Sequence, residues 1–320
     1  TPFKTITAGG SILFLITGFI YSLLKPFAGK LYTGSSTLKI FNKFDFPEEY
    51  KDCNMTPHVL PGKSYNEQPE VNSLFLKKCL LNDKENKKIV LVGDSFAQVQ
   101  LPGINAIAKD LNLEFGTIYG YGCPFPLKFE KIKYRTLNKC KYVDENILIK
   151  GLIENLNPGD LLVIRIYMPN SRYIKHSNDI KNFIDAYDLA LNDLNKKISK
   201  KLSKMLVIGG NPTLNISEFN NLNPQWFNSL YPNRKKNISY IPKNNTKETK
   251  LYLLFDERFK SLSEKNSWNY FSTSSYLCDY VRCKSKVSGK SLYFDEYHLN
   301  EEGMMLYHQS LKKIIKKLTK

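Results

Sequence analysis

Residues 89–95 read IVLVGDS, a short apolar run that ends in glycine, aspartate and serine. An apolar run rich in β-branched side chains and closed by glycine is typical of a strand buried in a parallel sheet. A helical pattern follows, with apolar residues at Val99, Ile104, Ile107 and Leu111. The serine therefore stands between a buried strand and a helix, at the sheet edge where open α/β proteins bind ligands.

Strand and helix patterns alternate along the rest of the chain. Further strands are predicted at 113–119, 161–166, 205–209 and 291–294, and helices at about 143–156, 178–204 and 301–318, the last with Asn300 as N-cap. Residues at about 211–290 are interpreted as a long insertion. Strands that alternate with helices predict a mainly parallel sheet of about five strands with helices on both faces, an α/β fold over 88–320.

The composition limits the classes of protein that need to be considered. The chain has 320 residues, 42% of them hydrophobic and 24% charged, which excludes wholesale disorder and a polytopic membrane protein. There are 47 Lys and Arg against 30 Asp and Glu, a net charge of +17. An excess of positive charge favours an anionic partner: nucleic acid, an anionic membrane surface or an acidic glycan.

The N-terminal region holds 20 uncharged residues between Lys4 and Lys25. As a helix this run spans roughly 30 Å, one hydrocarbon core. A membrane-spanning helix within 1–30 is the preferred interpretation, with a signal-type segment and a buried soluble helix as alternatives.

Residues 31–87, with several prolines and little periodicity, are predicted to form an irregular extension. A chain that begins at Thr1 is expected to be part of a longer protein.

Six cysteines fall as three pairs that are close in sequence. No pair has the spacing of a zinc site or of a C-x-x-C redox motif, so no metal is predicted. The alternatives are six reduced thiols in the cytosol or three disulfides in an oxidising compartment, and the preceding apolar segment favours disulfides. Pairing of sequence neighbours predicts the disulfides Cys53–Cys79, Cys123–Cys140 and Cys278–Cys283.

A second polar segment lies before the closing helix, where Asp295 and His298 are three residues apart. A serine nucleophile needs a base, and the base needs a carboxylate that holds its tautomer and stabilises its charged form. Ser95 alone also fits a simple N-cap, and His298 alone also fits an exposed loop. Together the two segments predict a catalytic Ser95–His298–Asp295 triad.

The sequence resembles the SGNH (GDSL-type) hydrolase family over about residues 88–320. The first block of the family matches Gly93-Asp94-Ser95, and its last block matches Asp295-x-x-His298. This resemblance implies a flavodoxin-like, three-layer α/β/α fold.

A narrower resemblance is to the SGNH domains fused behind acyltransferase-3 membrane domains, the bacterial surface-polysaccharide O-acetyltransferases. It is carried by the apolar helix, by the Cys53/Cys79 extension and by Gly122-Cys123-Pro124. It implies that residues 1–30 are the last helix of a larger membrane domain that this chain lacks.

The resemblance also implies donors for an oxyanion hole. Besides the Ser95 N–H, Gly122 is the best match to the glycine block of the family, with Gly120 as a second choice. The family's Gly-x-Asn-Asp after the third strand is absent, and Asn170 and Asn211 are candidate replacements.

Arg165 interrupts the apolar third strand. It is a candidate for stabilising charge or binding an anionic sugar, or it extends from the strand end into solvent. The remaining histidines, His58, His176 and His308, are predicted to lie at the surface.

The preferred hypothesis is a membrane-anchored O-acetyltransferase of the inner membrane, with its catalytic domain in the periplasm. The resemblance implies that no cofactor binds this chain, that acetyl-CoA is the ultimate donor, and that the acyltransferase-3 domain delivers the acetyl group. The acceptor is a surface glycan, such as lipopolysaccharide O-antigen or lipooligosaccharide, and nucleic acid is not a partner. The alternatives are a periplasmic carbohydrate esterase and a non-catalytic, basic glycan-binding module.

Overall fold

The computed structural model describes residues 47–56, 71–80, 86–127, 144–166, 177–213, 240–242, 247–279, 282–288, 290–293, 295 and 297–320. The predicted membrane helix within 1–30 and most of the extension therefore lie outside the described residues. Within the described ranges, no helix combines the length and the apolar character that a membrane crossing requires.

The secondary structure follows the alternating pattern. In chain order the strands are β1 Lys88–Gly93, β2 Glu114–Tyr119, β3 Leu161–Arg165, β4 Lys204–Ile208, β5 Tyr240–Pro242, β6 Asn269–Phe271, β7 Arg282–Lys284, β8 Lys286–Val287 and β9 Lys290–Ser291. The helices are α1 Ser73–Leu80, α2 Ser95–Asp110, α3 Glu145–Asn155, α4 Ser177–Ser199, α5 Lys247–Asn266, α6 Ser274–Leu277 and α7 Glu301–Leu318, with a short 3-10 helix at Glu48–Tyr50.

Five of the strands form one parallel sheet in the order β2-β1-β3-β4-β6. The chain runs from β1 outward to β2 and then crosses back to β3, so the direction of winding reverses between β1 and β3. This is the flavodoxin-like order, and the point of reversal is where such sheets bind ligands. The predicted α/β fold with a mainly parallel sheet of about five strands is confirmed.

Helices cover both faces of the sheet. All six residues of β1 are buried, and because successive side chains of a strand point to opposite faces, neither face is open to water. Helix α2 packs on α7, whereas α1, α3, α4 and α5 contact one another in succession. Right-handed crossovers on the two sides of β1 place these two groups of helices on opposite faces.

The structure corrects the prediction for 211–290. Residues 247–271, interpreted as part of an insertion, form α5 and β6, and β6 pairs in parallel with β4 as the fifth strand of the sheet. The strand predicted at 291–294 does not belong to this sheet, since β9 pairs with β8 in a small antiparallel hairpin. Strand β6 has only three residues, too few for an alternating pattern to be visible in the sequence.

The end of α4 also differs from the prediction of a helix over 178–204. The helix ends at Ser199, and Lys204 is already the first residue of β4. Ser203 N–H donates to the Ile198 carbonyl and Leu202 N–H to the Ser199 carbonyl, the pattern of a Schellman motif. Leu202 takes the left-handed conformation, with φ 58°, that glycine usually supplies. Without a glycine, nothing in the sequence marks this helix end.

Two of the three predicted disulfides are confirmed, Cys53–Cys79 and Cys278–Cys283. Cys123 is also disulfide-bonded. Its predicted partner Cys140 lies outside the described residues.

Residues 47–56 of the extension pack along the outer strand β2. Met55 N–H donates to the Tyr119 carbonyl, and Tyr119 N–H donates to the Cys53 carbonyl. The disulfide to Cys79 ties the same segment to α1, and both of its cysteines are fully buried. The segment therefore covers an edge strand that would otherwise present unpaired backbone groups.

Replacing both Cys53 and Cys79 by serine should lower the free energy of unfolding by about 2–4 kcal/mol, because the disulfide closes a loop with a sequence separation of 26. Urea unfolding of the two proteins measures the difference. The Cys278→Ser/Cys283→Ser variant is the control, since its separation is only 5. Chain entropy then makes its loss smaller by about 1.5 kcal/mol. Equal losses for the two variants would contradict this account.

Candidate active site

Ser95 is the first residue of α2, two positions after the end of β1. The Asp94 side chain caps the helix by accepting the Phe96 N–H at 2.9 Å. A glycine is required at position 93, because a Cβ there would lie 2.5 Å from the Arg165 carbonyl oxygen. This close approach of the β1–α2 turn to β3 sets Ser95 at the carboxyl edge of the sheet, beside the point where the winding reverses.

The three residues predicted to form a triad lie in one chain of hydrogen bonds. His298 Nε2 is 2.8 Å from Ser95 Oγ, and His298 Nδ1 is 2.8 Å from Asp295 Oδ2. The imidazole therefore bridges the serine hydroxyl and the carboxylate, although the serine is 203 positions away in sequence. When Nδ1 carries the proton that Asp295 accepts, Nε2 is free to accept the proton of Ser95.

Asp295 is held in its charged form. Burial is the largest single effect and raises the pKa of this carboxyl, but the hydrogen bond and charge of His298 and the backbone N–H groups of Tyr297 and His298 together outweigh it. Both N–H groups donate to Asp295 Oδ1 at 2.7 Å. The net effect is a pKa below the usual value of aspartate, so Asp295 is an anion that accepts from Nδ1 at neutral pH.

The loop that carries Asp295 and His298 is attached at its far end to the start of α7. Asn300 caps this helix by accepting the Gly303 N–H, and its Nδ2 donates to the Ser291 carbonyl. Asn300 N–H donates to the Leu292 carbonyl. The predicted N-cap Asn300 is therefore confirmed, and it also holds the two ends of the loop together.

The Ser95 N–H is available to an oxyanion. Asp94 accepts the next three N–H groups of the helix, Phe96 through its side chain and Ala97 and Gln98 through its carbonyl. At this helix start, the Ser95 N–H is left without an acceptor among the described residues. A free N–H at a helix N-terminus also benefits from the positive end of the helix dipole.

Gly122 is a second available donor, and Gly120 is not. The Gly120 N–H donates to the last carbonyl of β1 at 3.0 Å, so the second choice for the oxyanion hole is excluded. Tyr121 N–H donates to Thr56 Oγ1 and Cys123 N–H to the Gly120 carbonyl. Gly122, at φ 70°, has the one N–H of this turn with no partner in the part of the chain that the structure describes.

Thr56 is a contributor that the sequence did not reveal. It lies in the extension, 65 positions before the Tyr121 N–H that it accepts. Its Oγ1 also donates to Asn54 Oδ1 at 2.7 Å. No local pattern marks this threonine, because its partner is brought to it only by the packing of the extension on β2.

Asn170 and Asn211 are the two asparagine candidates for the oxyanion hole. Asn170 lies outside the described residues. Asn211 is fully engaged: its Nδ2 donates to the carbonyls of Tyr297, at 2.8 Å, and Pro212, at 3.2 Å, and its Oδ1 accepts from Arg165. Both amide hydrogens of Asn211 are thus taken by backbone carbonyls, and the structure does not offer this side chain to an oxyanion.

Arg165 neither extends into solvent nor reaches a surface sugar. It is 1% exposed, and its guanidinium carbon lies 5.4 Å from the centroid of the Phe96 ring. Its Nη2 donates to Asn211 Oδ1 at 2.8 Å and its Nη1 to the Ile208 carbonyl at 3.3 Å. The prediction of a solvent-reaching or sugar-binding arginine is wrong, because Arg165 is buried against Phe96, and its alternative role in stabilising charge stays a prediction.

Asp94 is a buried carboxyl whose pKa is shifted in the opposite direction to that of Asp295. Burial raises its pKa to about 6, even though the Phe96 N–H and the nearby charges of His298 and Arg165 favour the anion. One carboxyl oxygen, Oδ2, has no hydrogen-bond partner among the residues that the structure describes. Protonation of Asp94 is therefore much easier than for an exposed aspartate.

Of the other histidines, only His308 lies among the described residues. His308, predicted to be exposed, is buried in the contact between α7 and α2, where its Nε2 lies 3.3 Å from the Gly103 carbonyl. His58 and His176 lie outside the described residues. No cluster of ligand side chains suited to a metal ion occurs within the described ranges.

Comparison with known proteins assigns the chain to a family. Residues 63–313 match the family model of the SGNH domain fused to AT3 domains, so the chain belongs to this family. None of the curated proteins compared with the sequence matches it.

The chain is also similar to several solved structures. The periplasmic domain of a lipopolysaccharide acetyltransferase from Salmonella ser. Paratyphi A superposes with a TM-score of 0.60 at 18% identity, over 89% of this chain and 99% of that one. A carbohydrate acetylesterase family member from Sinorhizobium meliloti gives 0.46 at 13% identity, over 72% and 99%. The aryl esterase of M. smegmatis gives 0.43 at 14%, over 72% and 99%. The first likeness confirms the SGNH-type α/β fold.

Asp94→Asn should change how stability depends on pH. The pKa of Asp94 is about 6 when folded and 3.8 when unfolded, so the folded state keeps a proton that the unfolded chain releases between these values. The stability that this proton contributes is complete only below the unfolded pKa of 3.8 and is lost as the pH rises through 6. Relative to the variant, the wild-type free energy of unfolding should fall by about 2 kcal/mol from pH 4 to 7.

Urea unfolding of both proteins across this pH range is the measurement. Asparagine keeps the N-cap acceptor but cannot ionise, and the opposite contribution of Asp295 is common to both proteins and cancels. Two curves that stay parallel from pH 4 to 7 would disprove the account of Asp94.

Proposed function

We propose that this chain is the catalytic domain of an O-acetyltransferase, which carries an acetyl group on Ser95 and transfers it to a hydroxyl of a bacterial cell-surface polysaccharide. The observation that carries the proposal is the hydrogen-bonded chain Ser95–His298–Asp295 at the carboxyl edge of the sheet. It occurs in a domain of the family fused to AT3 domains, and its fold is shared with a lipopolysaccharide acetyltransferase domain.

In the first half of the reaction, Ser95 Oγ attacks the carbonyl carbon of an acetyl ester or thioester. His298 Nε2 takes the proton of the hydroxyl as the Oγ–C bond forms. When the tetrahedral intermediate collapses, the bond from carbon to the leaving group breaks and His298 returns the proton to the leaving group. Asp295 stabilises the imidazolium that exists between these two events.

The charge that develops on the carbonyl oxygen needs donors that are already in place. The N–H groups of Ser95 and Gly122 are suited to this role, because neighbouring N–H groups at both positions are already bonded and these two are not. Two oriented backbone donors form the minimal oxyanion hole, and each such donor contributes about 10²–10³ in rate.

In the second half, a sugar hydroxyl attacks the acetyl carbon of the Ser95 ester. His298 Nε2 removes the proton of the sugar hydroxyl, the new C–O bond forms, and Ser95 Oγ leaves and regains a proton from His298. The same sequence with water in place of the sugar is the esterase reaction. A transferase must therefore favour the sugar over water at this step.

The membrane context completes the proposal. An acyltransferase-3 domain would draw acetyl groups from cytoplasmic acetyl-CoA and deliver them to Ser95 on the periplasmic side, with residues 1–30 as the membrane anchor. The net charge of +17 favours an anionic surface glycan as acceptor. No cofactor is needed in this chain, because acyl transfer through serine uses only the triad and backbone donors.

Ser95→Ala and His298→Ala should each lower the turnover of p-nitrophenyl acetate by at least about 10³-fold, because removing either group removes the nucleophile or its base. Steady-state absorbance kinetics measure the loss. Near-ultraviolet circular dichroism should remain that of the wild type. Ser275→Ala is the matched control, since Ser275 is exposed and its hydroxyl donates to the nearby Ser272 carbonyl.

Normal turnover in Ser95→Ala would remove the catalytic assignment and would favour the glycan-binding module. Such a module would bind anionic glycan equally well with or without Ser95.

The product ratio separates transferase from esterase. The wild-type protein is given p-nitrophenyl acetate with increasing concentrations of de-O-acetylated surface polysaccharide, and mass spectrometry follows acetylated glycan against free acetate. A transferase should partition increasingly toward acetylated glycan, while Ser95→Ala forms neither product. Release of acetate alone, at every acceptor concentration, would replace the transferase by a carbohydrate esterase.

A further inference from the structure

Arg165 is a buried cation at the end of the strand next to the nucleophile, and the reaction proposed above does not use it. No carboxylate forms an ion pair with it within the part of the chain that the structure describes, and its Nε has no hydrogen-bond partner. Burial lowers the pKa of the guanidinium, whereas Tyr307 and Asp94 act in the opposite direction. A buried charge with so few partners is costly.

The first contact of Arg165 leads to the loop of the base. Its Nη2 holds Asn211 Oδ1 at 2.8 Å, which determines the orientation of the amide. Asn211 Nδ2 must then point toward the Tyr297 carbonyl, to which it donates at 2.8 Å. This carbonyl belongs to the peptide bond that precedes His298. Two hydrogen bonds in series therefore connect the end of β3 to the backbone of His298.

The second contact leads to the imidazole ring. The guanidinium of Arg165 lies over the face of Phe96, a favourable cation–π arrangement. The Phe96 ring in turn packs against the His298 ring, with 4.6 Å between centroids and 38° between planes. Phe96 directly follows Ser95 in the chain. Arg165 therefore supports the His298 ring through Phe96, from the side on which Ser95 lies.

We propose that Arg165 and Asn211 are positioning residues for His298. Through the Tyr297 carbonyl and the Phe96 ring, they hold the imidazole within reach of both Ser95 and Asp295. This inference rests on the proposed function and deepens it. It gives Asn211 a role in place of the oxyanion role that the sequence suggested.

The loop needs such support because its functional groups are partly open to water. The side chain of His298 is 16% exposed and that of Asp295 is 40% exposed. Asp295 is itself a member of the loop, so its bonds to His298 order the loop internally without attaching it to the sheet. The Asn211–Tyr297 bond supplies that attachment. A displacement of about 1 Å in such a site can cost about 10²-fold in rate.

Asn211→Asp and Arg165→Met test the proposal. Aspartate keeps an acceptor for Arg165 but loses the donor to Tyr297, and methionine fills similar space without the donors or the charge. With p-nitrophenyl acetate, kcat should fall by about 10- to 100-fold in each variant while KM stays within about threefold, because the chemical step and not binding depends on the base.

Lys88→Met is the matched control. Lys88 is also a fully buried cation at a strand end, but it lies at the opposite edge of the sheet, where its Nζ is 4.0 Å from Asp160 Oδ2. Its loss should lower the urea midpoint at least as much as Arg165→Met does. Its kcat should stay within about twofold of the wild type.

A spectroscopic signal keeps the test independent of turnover. In protein with ¹⁵N-labelled histidine, the His298 Nδ1 proton that is bonded to Asp295 should give a slowly exchanging low-field resonance, identified by its absence in His298→Ala. The resonance should shift or be lost by exchange in Asn211→Asp and Arg165→Met, and should be retained in Lys88→Met.

Each outcome bears on one claim. If Ser95→Ala is inactive while kcat and the His298 resonance are unchanged in Asn211→Asp, the positioning role is overturned and the proposed function stands. If kcat falls but the resonance is unchanged, or if Lys88→Met loses as much kcat, the role is also overturned. If Ser95→Ala remains active, the proposed function fails, and the resonance alone still decides the positioning role.

Discussion

The site depends on the hydrogen bond of 2.8 Å between His298 Nε2 and Ser95 Oγ, which joins two distant parts of the chain. Ser95 is held by the start of α2, and His298 by the loop that leads into α7. These two helices pack against each other, and Gln100 Nε2 donates to Tyr307 Oη within their contact at 3.0 Å. The packing of α7 on α2 therefore sets the separation of Ser95 Oγ and His298 Nε2, and a rigid sheet edge lets that separation be held.

The same edge of the sheet gives two aspartates opposite properties. Asp94 is closed off by the β1–α2 turn, so burial dominates and raises its pKa to about 6. Asp295 receives two backbone N–H groups and the imidazole, so its pKa falls below the usual value. Two causes produce this difference: Asp94 is fully buried whereas the Asp295 side chain is 40% exposed, and Asp295 receives more hydrogen bonds in its charged form. A carboxylate that remains charged beside His298 is what the base requires.

The extension before the family match contributes to the site as well. The matched residues begin at 63, whereas the segment 47–56 already pairs with the end of β2 and is tied to α1 by a disulfide. Through Thr56 it binds the Tyr121 N–H and shapes the turn that leaves the Gly122 N–H open. This edge of the sheet is therefore completed by residues that precede the matched range 63–313.

Local patterns in the sequence were sufficient to predict β1, the helix after it, and the two motifs Gly-Asp-Ser and Asp-x-x-His as parts of one site. Periodicity, caps and short motifs depend on near neighbours in the chain. They failed for the three-residue β6, which becomes a strand only by pairing with β4. They also suggested an oxyanion role for Asn211, whose amide is taken by Tyr297, 86 positions away. Composition and spacing determined the class of fold and the candidate residues Ser95, His298 and Asp295. Only the tertiary structure decided which donors remain free and which charges are buried, since both depend on partners that the packing brings together.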